Sequence, residues 1–61
     1  MSYEANAAKR YRLHAEELRT IAEYDGHEAT RRSLLQTARG YDVMADTFEK
    51  IEQTNRSVGK G

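Results

Sequence analysis

The sequence predicts an all-α fold, an antiparallel helical hairpin that dimerises into a four-helix bundle. Apolar residues recur at steps of three and four in two long segments, as they do on one face of an α-helix. No segment alternates in the manner of a strand, and a short polar break separates the two segments. A composition with eight Ala, many Glu and Arg and no Pro also favours helices.

The first helix is predicted from about residue 3 to residue 24. Its apolar positions are Ala7, Ala8, Tyr11, Ala15, Leu18, Ile21 and Ala22. Ser2 and Asn6 are both candidates for its N-cap, because a short polar side chain can accept from the free amides of the first turn.

The break predicts a turn at about residues 25–27. Gly26 is expected to end the first helix in a left-handed conformation, which costs glycine little. Asp25 is expected to cap the second helix, with Glu28 completing a capping box. A connection this short makes the helices antiparallel neighbours. One alternative stays open, a swapped dimer in which Gly26 continues a single long helix.

The second helix is predicted from about residue 27 to residue 53. Its apolar positions are Leu34, Leu35, Ala38, Tyr41, Met44, Ala45, Phe48 and Ile51. Gly40 lies inside it, either as a point of close helix approach or as a tolerated surface residue. Residues 1–54 form the predicted hairpin domain. Residues 55–61 lose the apolar pattern and gain Gly, which predicts a flexible tail.

Charges alternate between the two helices, although the net charge is zero. Antiparallel pairing that turns near Gly26 places residue i opposite roughly 51 minus i. Basic residues 4–12 then face acidic residues 42–52, and acidic residues 16–23 face basic residues 28–39. Three pairs at i,i+4 spacing are expected to add local support: Glu28–Arg32, Asp46–Lys50 and Glu52–Arg56.

A lone hairpin of this length leaves much apolar surface wet, and the chain has neither Cys nor Pro. Self-association is therefore predicted, as a dimer or a higher oligomer. Leu13, Tyr24 and Val43 lie off the main apolar pattern and can extend an interface. The predicted self-association interface consists of Tyr11, His14, Leu18, Ile21, Leu34, Ala38, Tyr41, Ala45, Phe48 and Ile51.

The composition argues against several functional classes. Without Cys there is no disulfide framework and no Cys-based zinc site. No apolar run approaches the length of a membrane span, and the first residues lack the apolar segment of a secretory signal. We therefore expect a cytoplasmic protein that does not bind membranes.

No pattern indicates catalysis, a cofactor or a metal. Ser33 has no histidine nearby in sequence, and His14-x-x-Glu17 reverses the Glu-x-x-His order of di-iron bundles. We therefore predict a protein that is not an enzyme, with no catalytic, cofactor-binding or metal-binding residue. His14 is interpreted as an interface histidine hydrogen-bonded to Thr37 or Tyr41; a role as a ligand or proton carrier is the alternative.

The preferred functional hypothesis is a non-enzymatic interaction or assembly module that binds itself and another protein. The alternative is a small dimeric nucleic-acid-binding regulator, with RNA as its target. The basic residues available for that role are Lys9, Arg10, Arg12, Arg19, Arg31, Arg32 and Arg39. Glu16, Glu23 and Glu28 interrupt any continuous basic stripe, which favours the first hypothesis.

Two runs in the sequence carry a resemblance. They are YRLHAEELRTIAE at residues 11–23 and TRRSLLQTARGYDVMAD at residues 30–46. Together they resemble a group of small alphaproteobacterial helical proteins of unknown function. Relatives often have Asp-Pro-Glu at the turn, where this chain has Asp25-Gly26-His27-Glu28. The resemblance implies a bacterial, cytoplasmic, two-helix protein and no activity, cofactor or catalytic residue.

Overall fold

The computed structural model describes residues 2–59 and has two helices. Helix α1 spans Tyr3–Tyr24 and helix α2 spans Glu28–Gly59. They pack side by side in opposite directions in a molecule of 52 × 16 × 10 Å. Residues 2–59 contain no strand, so the all-α prediction is confirmed. Neither helix, over the same residues, has an apolar stretch that meets the requirements of a membrane span.

Ser2 begins α1. The backbone amide of Ala5 donates to Ser2 Oγ at 3.0 Å, which satisfies one of the free amides of the first turn. The Ser2 hydroxyl also donates to the Glu52 carboxylate and ties the start of α1 to α2. Asn6, the other candidate cap, lies inside the helix, with its amide bonded to the Ser2 carbonyl.

The end of α1 differs from the prediction. Asp25 is extended, with φ −87° and ψ 130°, and no residue of 2–59 has a positive φ, so the left-handed Gly26 is wrong. Instead the Ala22 carbonyl accepts from the Asp25 amide and, at 3.0 Å, from Arg31 Nε of α2. The last turn of α1 has no basic residue of its own. Arg31 therefore supplies the cation that a helix C-terminus favours.

The predicted capping box at the start of α2 is also wrong. The Asp25 carboxylate accepts from the amide of His27 at 2.7 Å and from its ring Nδ1 at 3.1 Å. This closes a local turn before the helix instead of capping amides inside it. The chain reversal is thus spread over residues 25–27, and the helix begins at Glu28.

Small residues line the contact between the helices, here called the seam. Ala8, Ala15 and Ala22 of α1 recur every seven residues, as do Ala38 and Ala45 of α2. With Ala7, these are all of the buried apolar residues among those described, and no large side chain is fully buried. A seven-residue repeat keeps one line of positions facing the partner helix, and alanine allows the two backbones to approach closely.

The register is shifted from the prediction. Arg31 bonds to Ala22 at the turn end, and Ser2 bonds to Glu52 at the open end. Residue i therefore lies opposite roughly 53 minus i, about two residues from the predicted register. The shift follows from the position of the turn, because the reversal is not completed at Gly26.

Helix α2 is longer than predicted. It continues to Gly59, so residues 55–59 of the predicted flexible tail are helical. No Pro or Gly interrupts the chain between Gly40 and Gly59, and each added residue of an existing helix gains one backbone hydrogen bond. The Glu52–Arg56 pair, at 3.4 Å, supports this last part as expected. Residues 60 and 61 of the tail, and Met1 of the hairpin domain, lie outside the described residues.

Replacing Ala15 with Leu should destabilise the hairpin by about 1–3 kcal/mol, because the seam has no space for the added carbons. Ala15 has no exposed surface. Ala29→Leu is the matched control, since Ala29 is exposed in the first turn of α2. Urea denaturation followed by circular dichroism measures both. An Ala15→Leu variant as stable as the control would contradict close packing at the seam.

Candidate functional site

Large apolar side chains gather on one side of the seam, which we call the apolar face. Four aromatic rings form a continuous row along it. Tyr3 packs edge-on against Phe48 with centroids 6.2 Å apart, and Tyr11 stacks on Phe48 at 5.6 Å. Tyr11 also lies 5.6 Å from Tyr41. The row starts at the open end of the hairpin and reaches its middle.

The other half of the apolar face, toward the turn, is concave. An open groove of about 540 Å³ runs between the helices there. Its lining is His14, Glu17, Leu18, Thr20, Ile21, Thr37 and Tyr41. The apolar face thus has a row of rings in its open half and a groove in its turn half.

His14 lies where the two halves meet. Its ring is 5.7 Å from the Tyr41 ring, and its Nδ1 is 3.2 Å from the Glu17 carboxylate one turn along α1. The expected hydrogen bond to Thr37 or Tyr41 is therefore replaced by an ion pair with Glu17. Both side chains are more than half exposed. His14 is thus an accessible histidine that packs on Tyr41.

The structure brings most of the predicted interface residues to the apolar face. Tyr11, Leu18, Leu34, Tyr41 and Phe48 are partly buried beside the seam, and His14, Ile21 and Ile51 are exposed. Ala38 and Ala45 are the exceptions. They have no exposed surface, because the small positions of α2 face α1. These two residues hold the hairpin together and are not available to a partner.

Sequence reasoning left Tyr3, Thr37 and Met44 out of the predicted interface. Tyr3 packs against Phe48, Thr37 lines the groove, and Met44 is exposed. A signal for each was present in the sequence. Tyr3 precedes Ala7 by four residues, while Thr37 and Met44 are seven residues apart. Such spacings keep residues on one side of a helix.

The opposite side of the seam, which we call the ionic face, is held by charges. Arg12 contacts Asp46 at 2.8 Å, Glu49 at 2.6 Å and Asp42 at 3.7 Å, and Arg19 pairs with Asp42 as well. Hydrogen bonds to Glu49 and then to Asp46 raise the pKa of the Arg12 guanidinium above its ordinary value. One arginine of α1 therefore joins three carboxylates of α2.

Half of the predicted charge pairing is formed. Basic Arg12 faces the acidic block 42–52 as expected. No ion pair among residues 2–59 joins the acidic block 16–23 to the basic block 28–39, because Arg31 bonds to the Ala22 carbonyl and to Glu28. The Glu28–Arg32 pair is present at 3.8 Å. The expected Asp46–Lys50 pair is not, since Asp46 binds Arg12.

The basic residues proposed for nucleic-acid contacts do not form one surface. Arg12 and Arg31 are engaged inside the hairpin. Arg10 borders the apolar face near Tyr3 and Tyr11, whereas Lys9 borders a groove on the ionic face. The remaining two, Arg32 and Arg39, are exposed on α2. Phosphate binding requires a basic stripe on one side of the protein, and these positions do not supply one.

Over residues 2–59, no group of three or more His, Asp or Glu side chains is arranged to hold a metal ion. Comparison with protein-family models, curated proteins and solved structures finds no match to this chain. The resemblance to small alphaproteobacterial two-helix proteins therefore stays a prediction. The apolar face is the surface that the geometry singles out.

Replacing Arg12 with Gln should lower the melting temperature at low salt, because three carboxylates lose their shared cation. The difference should shrink in about 1 M salt, where the Debye length is about 3 Å. Arg32→Gln is the matched control, since Arg32 has one distant, exposed pair with Glu28. Melting curves at the two salt concentrations measure the effect. Equal losses for the two variants would contradict a special role for Arg12.

Proposed function

We propose that this protein is a non-enzymatic helical module that associates with a second copy through the apolar face to form a four-helix bundle. One observation carries the proposal. The fully buried apolar residues of the described chain are all alanines, while every large apolar side chain keeps some exposed surface. A hairpin of this kind has its helices in contact and its hydrophobic core unfinished.

The exposed area supports the same proposal. The chain exposes 4766 Å². A compact monomer of 7.0 kDa is expected to expose about 4,000 Å². The excess of about 700 Å² is close to the roughly 800 Å² that each partner contributes to a standard interface. A second copy seated on the apolar face would remove this excess.

The two sides of the seam differ in what they need. On the ionic face the charges already pair across the helices, so that side is well placed to face water. On the apolar face, Ile21 and Ile51 have only solvent around much of their side chains. Burial of such groups is the main source of association energy in bundles. The apolar face is therefore the proposed contact, and the ionic face is the proposed outer surface.

Another protein would meet the dimer on its remaining surface. Leu13 and Tyr24 are exposed apolar residues that do not line the groove on the apolar face. A dimer formed through the apolar face would leave both accessible. We therefore propose assembly as the function, with these residues as candidate contacts for a different protein.

Ile21→Asp should convert the dimer to a monomer, because a buried, unpaired carboxylate is costly in an interface. Leu13→Asp is the matched control. The two side chains belong to the same helix and are 54% and 55% exposed, but only Ile21 lines the groove. Size-exclusion chromatography with light scattering across a concentration series measures the mass.

The parent chain and the Leu13→Asp variant should both have the mass of a dimer. Circular dichroism checks that each variant keeps its helicity. A monomeric parent chain at high concentration would contradict the proposed function. An Ile21→Asp variant that remains dimeric would show that the apolar face is not the contact.

A further inference from the structure

Helix α2 has a second line of small residues, on a side that α1 does not cover. Ser33, Gly40, Thr47 and Thr54 recur every seven residues, the spacing that Ala38 and Ala45 have in the seam. All four are exposed. A Cβ atom built on Gly40 would meet nothing within 4 Å, so the hairpin itself does not require glycine there.

Larger side chains alternate with these small ones. Thr37, Met44, Ile51 and Val58 each follow a small residue by four positions, and all are exposed. The resulting line, which we call the outer stripe, has steps of four and three throughout. The seam has the same alternation, since Leu34, Tyr41 and Phe48 alternate there with Ala38 and Ala45. Such a regular pattern is typical of a surface that packs against another helix.

The outer stripe extends farther along α2 than the seam does. Ser2, the first described residue, bonds to Glu52, and α2 then continues for seven residues to Gly59. These residues project about 10 Å past Ser2, at 1.5 Å per residue. Val58, the last member of the outer stripe, lies in this projecting part. The seam therefore does not account for the regular pattern at the end of α2.

We propose that α2 of a second copy packs antiparallel along the outer stripe, with the two-fold axis beside Met44. This inference rests on the proposed function and adds the orientation of the dimer. The stripe is symmetric about its centre, between residues 43 and 44. An antiparallel copy therefore places Gly40 opposite Thr47 of the second copy, and Ser33 opposite its Thr54. Met44 meets Met44 of the second copy at the axis.

The hairpin provides a precedent for this pairing. In the observed register, where residue i lies opposite roughly 53 minus i, Ala15 is level with Ala38 and Ala8 with Ala45. Small residues thus lie level with small residues in an antiparallel pair. The same rule applied to the outer stripe selects a second α2 as the occupant. Antiparallel neighbours also place opposite ends of their macrodipoles together.

The shape of the apolar face is consistent with the same orientation. The groove lies in the turn half and includes Thr37, whereas Ile51 and Val58 belong to the open half. An antiparallel copy brings Ile51 over Thr37 of the second copy. Its projecting α2 end then lies over the turn half of its partner. A parallel copy would place groove against groove and leave both projecting ends without a hairpin to cover.

Distances between spin labels test the orientation. The chain has no Cys, so Ser57→Cys and Arg39→Cys each introduce one labelling site per copy. The two positions are 18 residues apart, which places them on the same side of α2. In the antiparallel dimer, the two Ser57 sites lie about 40 Å apart along the axis and the two Arg39 sites about 14 Å. Pulsed electron–electron resonance measures both distances.

A long distance for Ser57→Cys together with a short one for Arg39→Cys supports the proposal. Two similar short distances would mean a parallel dimer, which overturns the orientation and leaves the proposed function intact. Absence of any distance between labels, with a monomeric mass in light scattering, would contradict the proposed function itself.

Met44→Glu provides a second test. Two carboxylates would meet at the two-fold axis, which should weaken association by about 100-fold or more, since like charges facing each other in an interface are strongly disfavoured. Leu35→Glu is the matched control, because Leu35 and Met44 are 38% and 41% exposed on the same helix and only Met44 belongs to the outer stripe. Equal dissociation constants for the two variants would overturn the proposal.

Discussion

The close contact between alanines along the seam determines the rest of the hairpin. Ala15 and Ala38 have no exposed surface, and they hold the helix backbones near each other. A gap that is filled by methyl groups has no space for rings or branched chains. Tyr11, Tyr41 and Phe48 are therefore displaced to the side, where neighbouring rings pack on one another instead of entering a shared core. The helices are joined while their large side chains remain accessible.

This displacement has a direction, and the direction gives the molecule two different sides. On one side, Arg12 of α1 connects three carboxylates of α2, and the charges are paired within the chain. On the other side, Ile21 and Ile51 have no comparable partner in the hairpin. Polar pairing satisfies the ionic face, whereas the apolar face can be satisfied only by removing its area from water. The proposed assembly follows from this difference.

The arginines show how tertiary contacts change the function that a residue is available for. In the sequence, Arg12 and Arg31 are as suitable for phosphate as any other basic residue. In the structure, Arg12 bonds to Asp46 and Glu49, and Arg31 bonds to the last turn of α1. A nucleic acid would have to compete with these contacts. The structure therefore favours an assembly function over a nucleic-acid-binding one.

The sequence by itself determined the two helices, because apolar periodicity, the polar break and the Ser2 cap are local properties of the chain. It also indicated most residues of the apolar face. Only the tertiary structure decided that Ala38 and Ala45 are internal, that Arg31 closes α1, and that the register is shifted. Each of these depends on which helix positions come into contact. That choice is made by packing between distant residues, which periodicity along one helix does not specify.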